Sequence, residues 1–123
     1  MSLTINGSGG GIPVGVPTIE TGTYTGDGTY GSANPCSITF NGTPVFVLIA
    51  GNKNEALFDP LGMDSSFNNG RYWVDSANNV TSSQTYAKLE GKTLSWYNGN
   101  STTTASGQMN RADTTYYWFA ITI

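Results

Sequence analysis

The fold of this chain is decided by the apolar run Val45-Phe46-Val47-Leu48-Ile49-Ala50 and by a second, aromatic-rich run, Tyr116-Tyr117-Trp118-Phe119-Ala120-Ile121-Thr122-Ile123. Gly, Ser, Thr, Asn and Tyr dominate most of the remaining sequence. Short β-branched and aromatic runs between turn-forming residues are typical of strands, and no helical pattern of useful length competes. Because the first run has no polar face, we expect it to be a central strand covered on both sides.

Shorter alternating segments predict the other strands. Cys36, Ile38 and Phe40 share one face of a strand, and the following Asn41-Gly42 predicts a hairpin into the apolar run. Glu90-Gly91-Lys92 predicts a second hairpin, between the segments 86–89 and 93–97. About seven to nine short strands at this spacing favour an all-β fold, an antiparallel, jelly-roll-like β-sandwich.

The chain divides into a short connector and one domain. Residues 1–17 contain the run Asn6-Gly7-Ser8-Gly9-Gly10-Gly11 together with Pro13 and Pro17, which predicts a flexible N-terminal connector. Residues 18–123 form the predicted sandwich domain, since one domain is expected for a chain of 123 residues.

The alternation of the last strand predicts which side chains are buried. Tyr117, Phe119, Ile121 and Ile123 share the more apolar face, so we expect this face in the core. The opposite face would then present Tyr116 and Trp118 outward. Outward aromatic rings on a weakly charged chain predict self-association, and we expect a homotrimer.

Charge and hydropathy exclude several functions. Charged residues make up 11% of the chain, against about 25% in ordinary globular domains, and the formal net charge is −3. The five cations are scattered rather than arranged in a basic stripe, so no nucleic acid partner is expected. No apolar stretch of membrane-spanning length occurs, so no membrane insertion is expected. An uncharged surface rich in hydrogen-bonding groups fits a virion or a bacterial extracellular surface.

Catalytic and metal-binding constellations are hard to assemble from this composition. The chain has no His and a single cysteine, Cys36, which excludes the usual zinc sites and the His-dependent serine and cysteine nucleophiles. The segment from Asp64 to Asn69 offers only one carboxylate for calcium. Asp75 is the one acid beside aromatic residues and a cation, Arg71, and is the residue to test for hydrolysis. We therefore expect no enzyme activity, no cofactor and no metal site.

Aromatic and amide side chains favour carbohydrate binding instead. Proteins meet the apolar faces of sugars with flat rings, and meet the hydroxyl groups with amides and carboxylates. By alternation, Trp96 belongs with Leu94 in the core and Tyr97 points outward. The candidate ligand-binding residues are Trp73, Asp75, Tyr97, Asn98, Asn100, Tyr116 and Trp118.

The segment from Thr21 to Phe40, which contains Gly22-Thr23-Tyr24-Thr25-Gly26-Asp27-Gly28 and Asn34-Pro35, resembles a segment of tail-fibre and tail-associated proteins of phages and prophages of gut Firmicutes. The similarity continues in patches through Val45–Ala50, Thr93–Tyr97 and Thr115–Ile123. It implies a β-rich distal domain, usually trimeric, that helps a virion to meet its host. The resembling motifs are turns and core strands, so no functional residue is carried over.

Four interpretations of function follow from these observations. We favour a phage virion surface module of the tail-fibre type that contributes to recognition of a host surface or of a host-surface glycan. One alternative is a purely structural virion domain, and another is a bacterial cell-surface carbohydrate-binding module. A small hydrolase built on Asp75 comes last.

Overall fold

The computed structural model describes residues 15–70, 72–75, 84–99 and 105–123, apart from the side chains of 73–75. Within these residues the chain forms nine strands and no α-helix. The strands are β1 (Thr18–Thr25), β2 (Cys36–Thr39), β3 (Pro44–Gly51), β4 (Asn54–Phe58), β5 (Asn68–Asn69), β6 (Tyr72–Asp75), β7 (Thr85–Glu90), β8 (Thr93–Asn98) and β9 (Thr115–Thr122), with a 3-10 turn at Pro60–Gly62.

The strands form two antiparallel sheets that enclose one core. The five-stranded sheet has the order β1-β9-β3-β4-β6, and the four-stranded sheet has the order β2-β8-β7-β5. The chain passes from one sheet to the other at every connection except the β3–β4 and β7–β8 hairpins. Crossings of this kind are typical of jelly rolls, and the two hairpins are departures from that topology. The predicted all-β sandwich is confirmed.

The connection at Asn41-Gly42 is not the predicted hairpin. β2 pairs with β8 in the four-stranded sheet, whereas β3 pairs with β4 and β9 in the other sheet. The connection therefore crosses between the sheets. Its backbone N–H groups donate to the carboxylate of Glu20, at 2.8 Å from Asn41 and 3.0 Å from Gly42. A long-range partner thus replaces the local turn that the dipeptide favours.

Large aromatic side chains fill the core. Phe58 stacks on Tyr72 with ring centroids 4.6 Å apart, and Trp96 packs against Phe58 at 5.3 Å. Tyr24 stacks on Tyr116 at 5.1 Å, and its contact with Trp96 links this pair to the rings of Phe58 and Tyr72. The predicted burial of Trp96 is confirmed, and the rings of both sheets meet in one continuous cluster.

The prediction for the faces of β9 is wrong. Tyr116 is fully buried, whereas Tyr117 is 64% exposed. The inner face therefore carries Tyr116, Trp118, Ala120 and Thr122 rather than the more apolar set. Tyr24 provides a stacking partner for Tyr116, and the Thr122 hydroxyl is satisfied by a 2.7 Å hydrogen bond to Glu20. These long-range partners override the local apolarity of the two faces.

β3 lies at the centre of its sheet, as predicted, but the described residues cover only one of its faces. Val47 and Ile49 have no exposed surface, whereas Leu48, which points to the outer side, is 38% exposed. The absence of a polar face in this strand is therefore not explained by burial within the described part of the chain.

A buried glutamine fastens the loop before β9 to the rest of the sandwich. The Gln108 side-chain oxygen accepts hydrogen bonds from the N–H groups of Gly31 at 2.8 Å and of Asn98 at 3.0 Å. Its amide nitrogen donates to the Asn34 carbonyl at 2.8 Å, and its backbone carbonyl accepts from the Trp96 indole at 3.0 Å. Residues 108 and 109 belong to a buried turn rather than to a strand.

Candidate functional site

An open groove of about 660 Å³ lies at one side of the sandwich, where the edge strand of each sheet, β1 and β2, leaves the two layers apart. Its volume is in the range of small-ligand sites, about 300–1,000 Å³. The polar and aromatic side chains that give the groove its chemistry are Glu20, Thr39, Asn41, Trp118 and Thr122.

Trp118 supplies the aromatic surface of the groove. The half-buried indole packs edge-to-face against Phe40, with ring centroids 5.2 Å apart and planes at 86°. Gly22 lies opposite Trp118 in the β1–β9 pair, and a Cβ atom at Gly22 would collide with the indole. The missing side chain at position 22 therefore gives the ring the space that it occupies.

Glu20 places an ionised carboxylate in the groove. One of its oxygens accepts from the backbone of Asn41, and the other accepts from the backbone of Gly42 and the hydroxyl of Thr122. The hydrogen bond from Thr122, then those from the backbone, hold the pKa of Glu20 below its usual value, with a smaller contribution from Lys92. Three of its roughly four acceptor positions are thus used, and the oxygen that accepts from Asn41 keeps one for a ligand hydroxyl.

Hydroxyl and amide groups complete the rim. The Thr39 hydroxyl lies 2.9 Å from the Thr93 hydroxyl, and both are near the solvent. Asn41 is exposed, and its side chain makes no hydrogen bond that competes with a ligand among the contacts of the described residues. An aromatic surface beside hydroxyls, an amide and a carboxylate matches a small polyhydroxylated ligand.

Two of the predicted site residues belong to the core. Tyr116 is fully buried, and its hydroxyl accepts a 3.0 Å hydrogen bond from the backbone N–H of Arg111. Asn98 is also fully buried, and its backbone N–H donates to Gln108. Neither side chain reaches the surface of the described structure, so neither lines the groove. The outward position predicted for Tyr116 is wrong.

Tyr97 lies on a different surface from Trp118. It is half-buried on the outer side of the four-stranded sheet, stacks on Tyr86 at 4.9 Å and meets Phe67 edge-on at 4.9 Å. Lys88 lies over the Phe67 ring and pairs with Glu90 at 3.2 Å. The rings of Tyr97, Tyr86 and Phe67 therefore pack against one another, and each ring is partly covered by its neighbours. The outward position predicted for Tyr97 is confirmed.

The other three predicted residues, Trp73, Asp75 and Asn100, are described in part or not at all. Trp73 pairs with Leu57, and Asp75 pairs with Glu55, on β6 at the edge of the five-stranded sheet opposite to β1. Their side chains lie outside the described residues, and so does all of Asn100. Of the seven predicted residues, the structure therefore places Trp118 in the groove and brings none of the other described side chains to it.

Sequence reasoning missed Glu20, Thr39 and Asn41. Glu20 and Asn41 are separated by 21 residues, and no local pattern links them. The one available signal was Gly22 within a strand pattern, since an isolated glycine there often marks a close approach by another group.

The surroundings of the Cys36 thiol do not favour its ionisation. Burial raises the pKa of the Cys36 thiol to about 11. Among the residues that the structure describes, no three acidic or Cys side chains are grouped as metal ligands would be. In the same part of the chain, no helix has the length and hydropathy needed to cross a bilayer.

Comparison with protein-family models, curated proteins and solved structures finds no significant match to this chain.

Proposed function

We propose that this chain is a recognition module that binds a host-surface glycan in the groove between β1 and β2, without turning it over. The observation that carries this proposal is the placement of the Trp118 ring beside the Glu20 carboxylate and the Asn41 amide in one groove of about 660 Å³. Sugar C–H faces pack on the ring, and sugar hydroxyls bond to the polar groups.

The state of Glu20 supports binding rather than hydrolysis. A glycosidase needs a carboxylic acid with a raised pKa and a second carboxylate at a fixed separation. Glu20 is the carboxylate that lines the groove within the described residues, and its pKa is lowered. It is therefore suited to accept hydrogen bonds as an anion and unsuited to protonate a leaving group at neutral pH.

The biological setting that we propose is a phage virion, with the module on a tail fibre or a similar appendage. The resemblance of the segment from Thr21 to Phe40 to tail-fibre and tail-associated proteins supports this setting, as does a chain with only 11% charged residues. A bacterial cell-surface carbohydrate-binding module would use the same groove. The neighbouring genes distinguish the two settings, because phage tail genes are clustered.

The test is an array of purified wall and capsular polysaccharides from Firmicutes, probed with the full chain. We expect saturable binding to at least one polysaccharide and a loss of tenfold or more in Trp118→Leu. A second variant, Asn41→Arg, places a long side chain at the rim from an exposed position of the groove lining and should obstruct the groove while the core stays intact. Tyr97→Ala, on the other sheet, is the matched control and should bind as the unmodified chain does.

Three outcomes would contradict the proposal. An array without any binding would favour a purely structural virion domain. Equal binding by the unmodified chain and Asn41→Arg would move the site away from the groove. Release of reducing sugar from a bound polysaccharide would make the chain a hydrolase. Thermal unfolding of each variant, followed by circular dichroism, confirms that a loss of binding is not a loss of fold.

A further inference from the structure

The outer side of the five-stranded sheet carries a continuous apolar surface. Cross-strand neighbours on one side of a sheet have Cβ atoms about 5 Å apart, so the strand register shows which side chains adjoin. Ile121 lies between Ile19 and Phe46, and Phe119 lies between Thr21 and Leu48. The apolar face consists of Ile19, Leu48, Leu57, Tyr117, Phe119 and Ile121, with Phe46 beside Phe119.

Much of this face is open in the single chain. Ile19 is 65% exposed, Tyr117 is 64% exposed, and Leu48 and Leu57 are each 38% exposed. These side chains are adjacent rather than scattered. Scattered apolar residues are normal on protein surfaces, whereas contiguous patches of several hundred Å² mark interaction sites.

The polar groups around the apolar face are almost uncharged. Threonines on β1 and at the start of β9, namely Thr21, Thr23, Thr25 and Thr115, lie alongside it. Glu55 on β4, which pairs with Ala50, is the described charged side chain at its margin. An apolar centre depleted of charge and bordered by polar side chains is the usual composition of a protein–protein interface.

The dimensions of the face suit a stable contact. The face lies on four strands, three of eight residues and one of five, and at about 4.8 Å spacing and about 3.3 Å rise these give roughly 460 Å² in projection. Stable interfaces bury about 800 Å² of accessible surface per partner, and a corrugated face has more accessible area than its projection. The face therefore supplies the greater part of the area that a stable contact needs.

We propose that a second copy of this chain docks on the apolar face. The formal net charge of −3 makes copies of the chain repel one another, so a self-association surface has to keep like charges apart. This face does so, because its centre is uncharged and Glu55 lies at the margin. Two such faces pack as the layers of a sandwich do, with side chains such as Leu48 and Phe119 interdigitating across the contact.

This docking explains why β3 has no polar face. With a second copy in place, the outer side of Val45–Ala50 becomes buried, as expected for a strand covered on both sides. The sequence analysis predicted self-association through Tyr116 and Trp118. Tyr116 lies in the core and Trp118 lines the groove, so the contact that we propose uses the other face of β9 instead. The inference is independent of the proposed glycan binding.

The test is the mass of the full chain in solution, measured by light scattering coupled to size-exclusion chromatography from low to high micromolar concentration. We expect a mass of twice the 13.0 kDa of the chain at the high end, because two copies that pack face to face leave no apolar face for a third. The double variant Ile19→Lys/Tyr117→Lys changes the two most exposed positions of the face, so the fold should tolerate it. Because lysines would then face lysines, we expect self-association to weaken on the order of a hundredfold.

Leu61→Lys is the matched control. Leu61 is 73% exposed but lies in the 3-10 turn, outside the sheet, so its replacement should leave the mass unchanged. A mass of 13.0 kDa for the unmodified chain at every concentration would overturn the proposal. So would an assembly that the double variant leaves intact, or one that Leu61→Lys dissociates equally. Circular dichroism of each variant confirms that the strands are retained.

Discussion

Gly22 of β1 lies opposite Trp118 of β9, and the indole occupies the space that a side chain at position 22 would need. This pairing allows Trp118 to lie over its neighbouring strand and to contact Phe40 in the other layer. The ring thus bridges the edges of both sheets at the groove. Gly22 therefore shapes the groove by leaving the space that the Trp118 ring occupies.

We expect Gly22→Ala to displace the indole and to lower the free energy of unfolding by about 1–3 kcal/mol, because an inserted methyl group forces a well-packed ring to move. Glycan affinity should fall with it. Urea unfolding measures the first effect and the polysaccharide array the second. Thr23→Ala, one position further on the exposed side of β1, is the control and should change stability little. Unchanged stability and binding in Gly22→Ala would show that the close approach has no consequence.

Gln108 should be among the most sensitive polar residues of the chain. Gln108→Met keeps the approximate volume but removes the hydrogen bonds that the Gln108 side chain makes with the N–H groups of Gly31 and Asn98 and with the carbonyl of Asn34. We expect the free energy of unfolding to fall by about 2–4 kcal/mol, since each unsatisfied buried group costs about 1–3 kcal/mol.

Met109→Leu is the comparison for Gln108→Met, because Met109 is equally buried but contributes no side-chain hydrogen bond. A swap of similar volume in the core costs less than about 1.5 kcal/mol. Urea unfolding at neutral pH measures both variants. Equal destabilisation by the two substitutions would mean that packing, rather than the hydrogen bonds of Gln108, holds this turn.

Stability should decline in acid because two carboxylates are held ionised by the fold. The pKa of Glu20 is lowered from 4.5 chiefly by the Thr122 hydroxyl, and the pKa of Asp27 is lowered from 3.8 chiefly by the Thr29 hydroxyl. A lowered folded-state pKa stabilises the fold above the unfolded-state value, and this contribution is lost as the pH falls through the folded-state pKa. The loss should therefore begin near pH 4.5 and continue below pH 3.8.

The measurement is urea unfolding at a series of pH values from neutral to strongly acidic. In Glu20→Gln and in Asp27→Asn, the decline below pH 4.5 should be shallower than in the unmodified chain, because each variant lacks one of the linked protons. Asp113→Asn is the control, since Asp113 is exposed and lies in a turn. A decline of equal steepness in all four proteins would place the acid sensitivity elsewhere.

Cys36 should react slowly while the chain is folded. Burial raises the pKa of its thiol to about 11, so little thiolate exists at pH 8. With a colorimetric disulfide reagent at pH 8, we expect reaction at a small fraction of the rate seen in urea, where the thiol regains its ordinary pKa. Equal rates in the folded and unfolded protein would show that the thiol is accessible and ionised.

The sequence predicted those parts of the fold that depend on local pattern. The alternation of Cys36, Ile38 and Phe40 and the hairpin at Gly91 are present as expected, because alternation and turn residues act over a few positions. The predicted hairpin at Asn41-Gly42 does not form, because the hydrogen bond to Glu20 and the pairing of β2 with β8 outweigh a local preference. The two faces of β9 were predicted the wrong way round, because Gly22 and Tyr24, far away in sequence, decide which rings of β9 pack between the sheets.

The candidate site was less accessible to sequence reasoning than the fold. Trp118 could be chosen as an aromatic residue near a possible surface, but its companions Glu20 and Asn41 come together only through the crossing between the sheets. The same reasoning selected Tyr116 and Asn98, which are buried. A list of residue types contains no information on which edges of a sandwich leave a groove between them.

The most direct test of glycan binding in the groove is a titration of the ¹⁵N-labelled chain with the best polysaccharide from the array, followed through the tryptophan indole N–H signals. The Trp96 indole donates to Gln108 inside the core, so its signal should stay in place. The Trp118 signal should shift progressively and saturate, because its ring lines the groove. A Trp118 signal that does not move while a polysaccharide binds, or shifts confined to the Tyr97 side of the sandwich, would contradict the account.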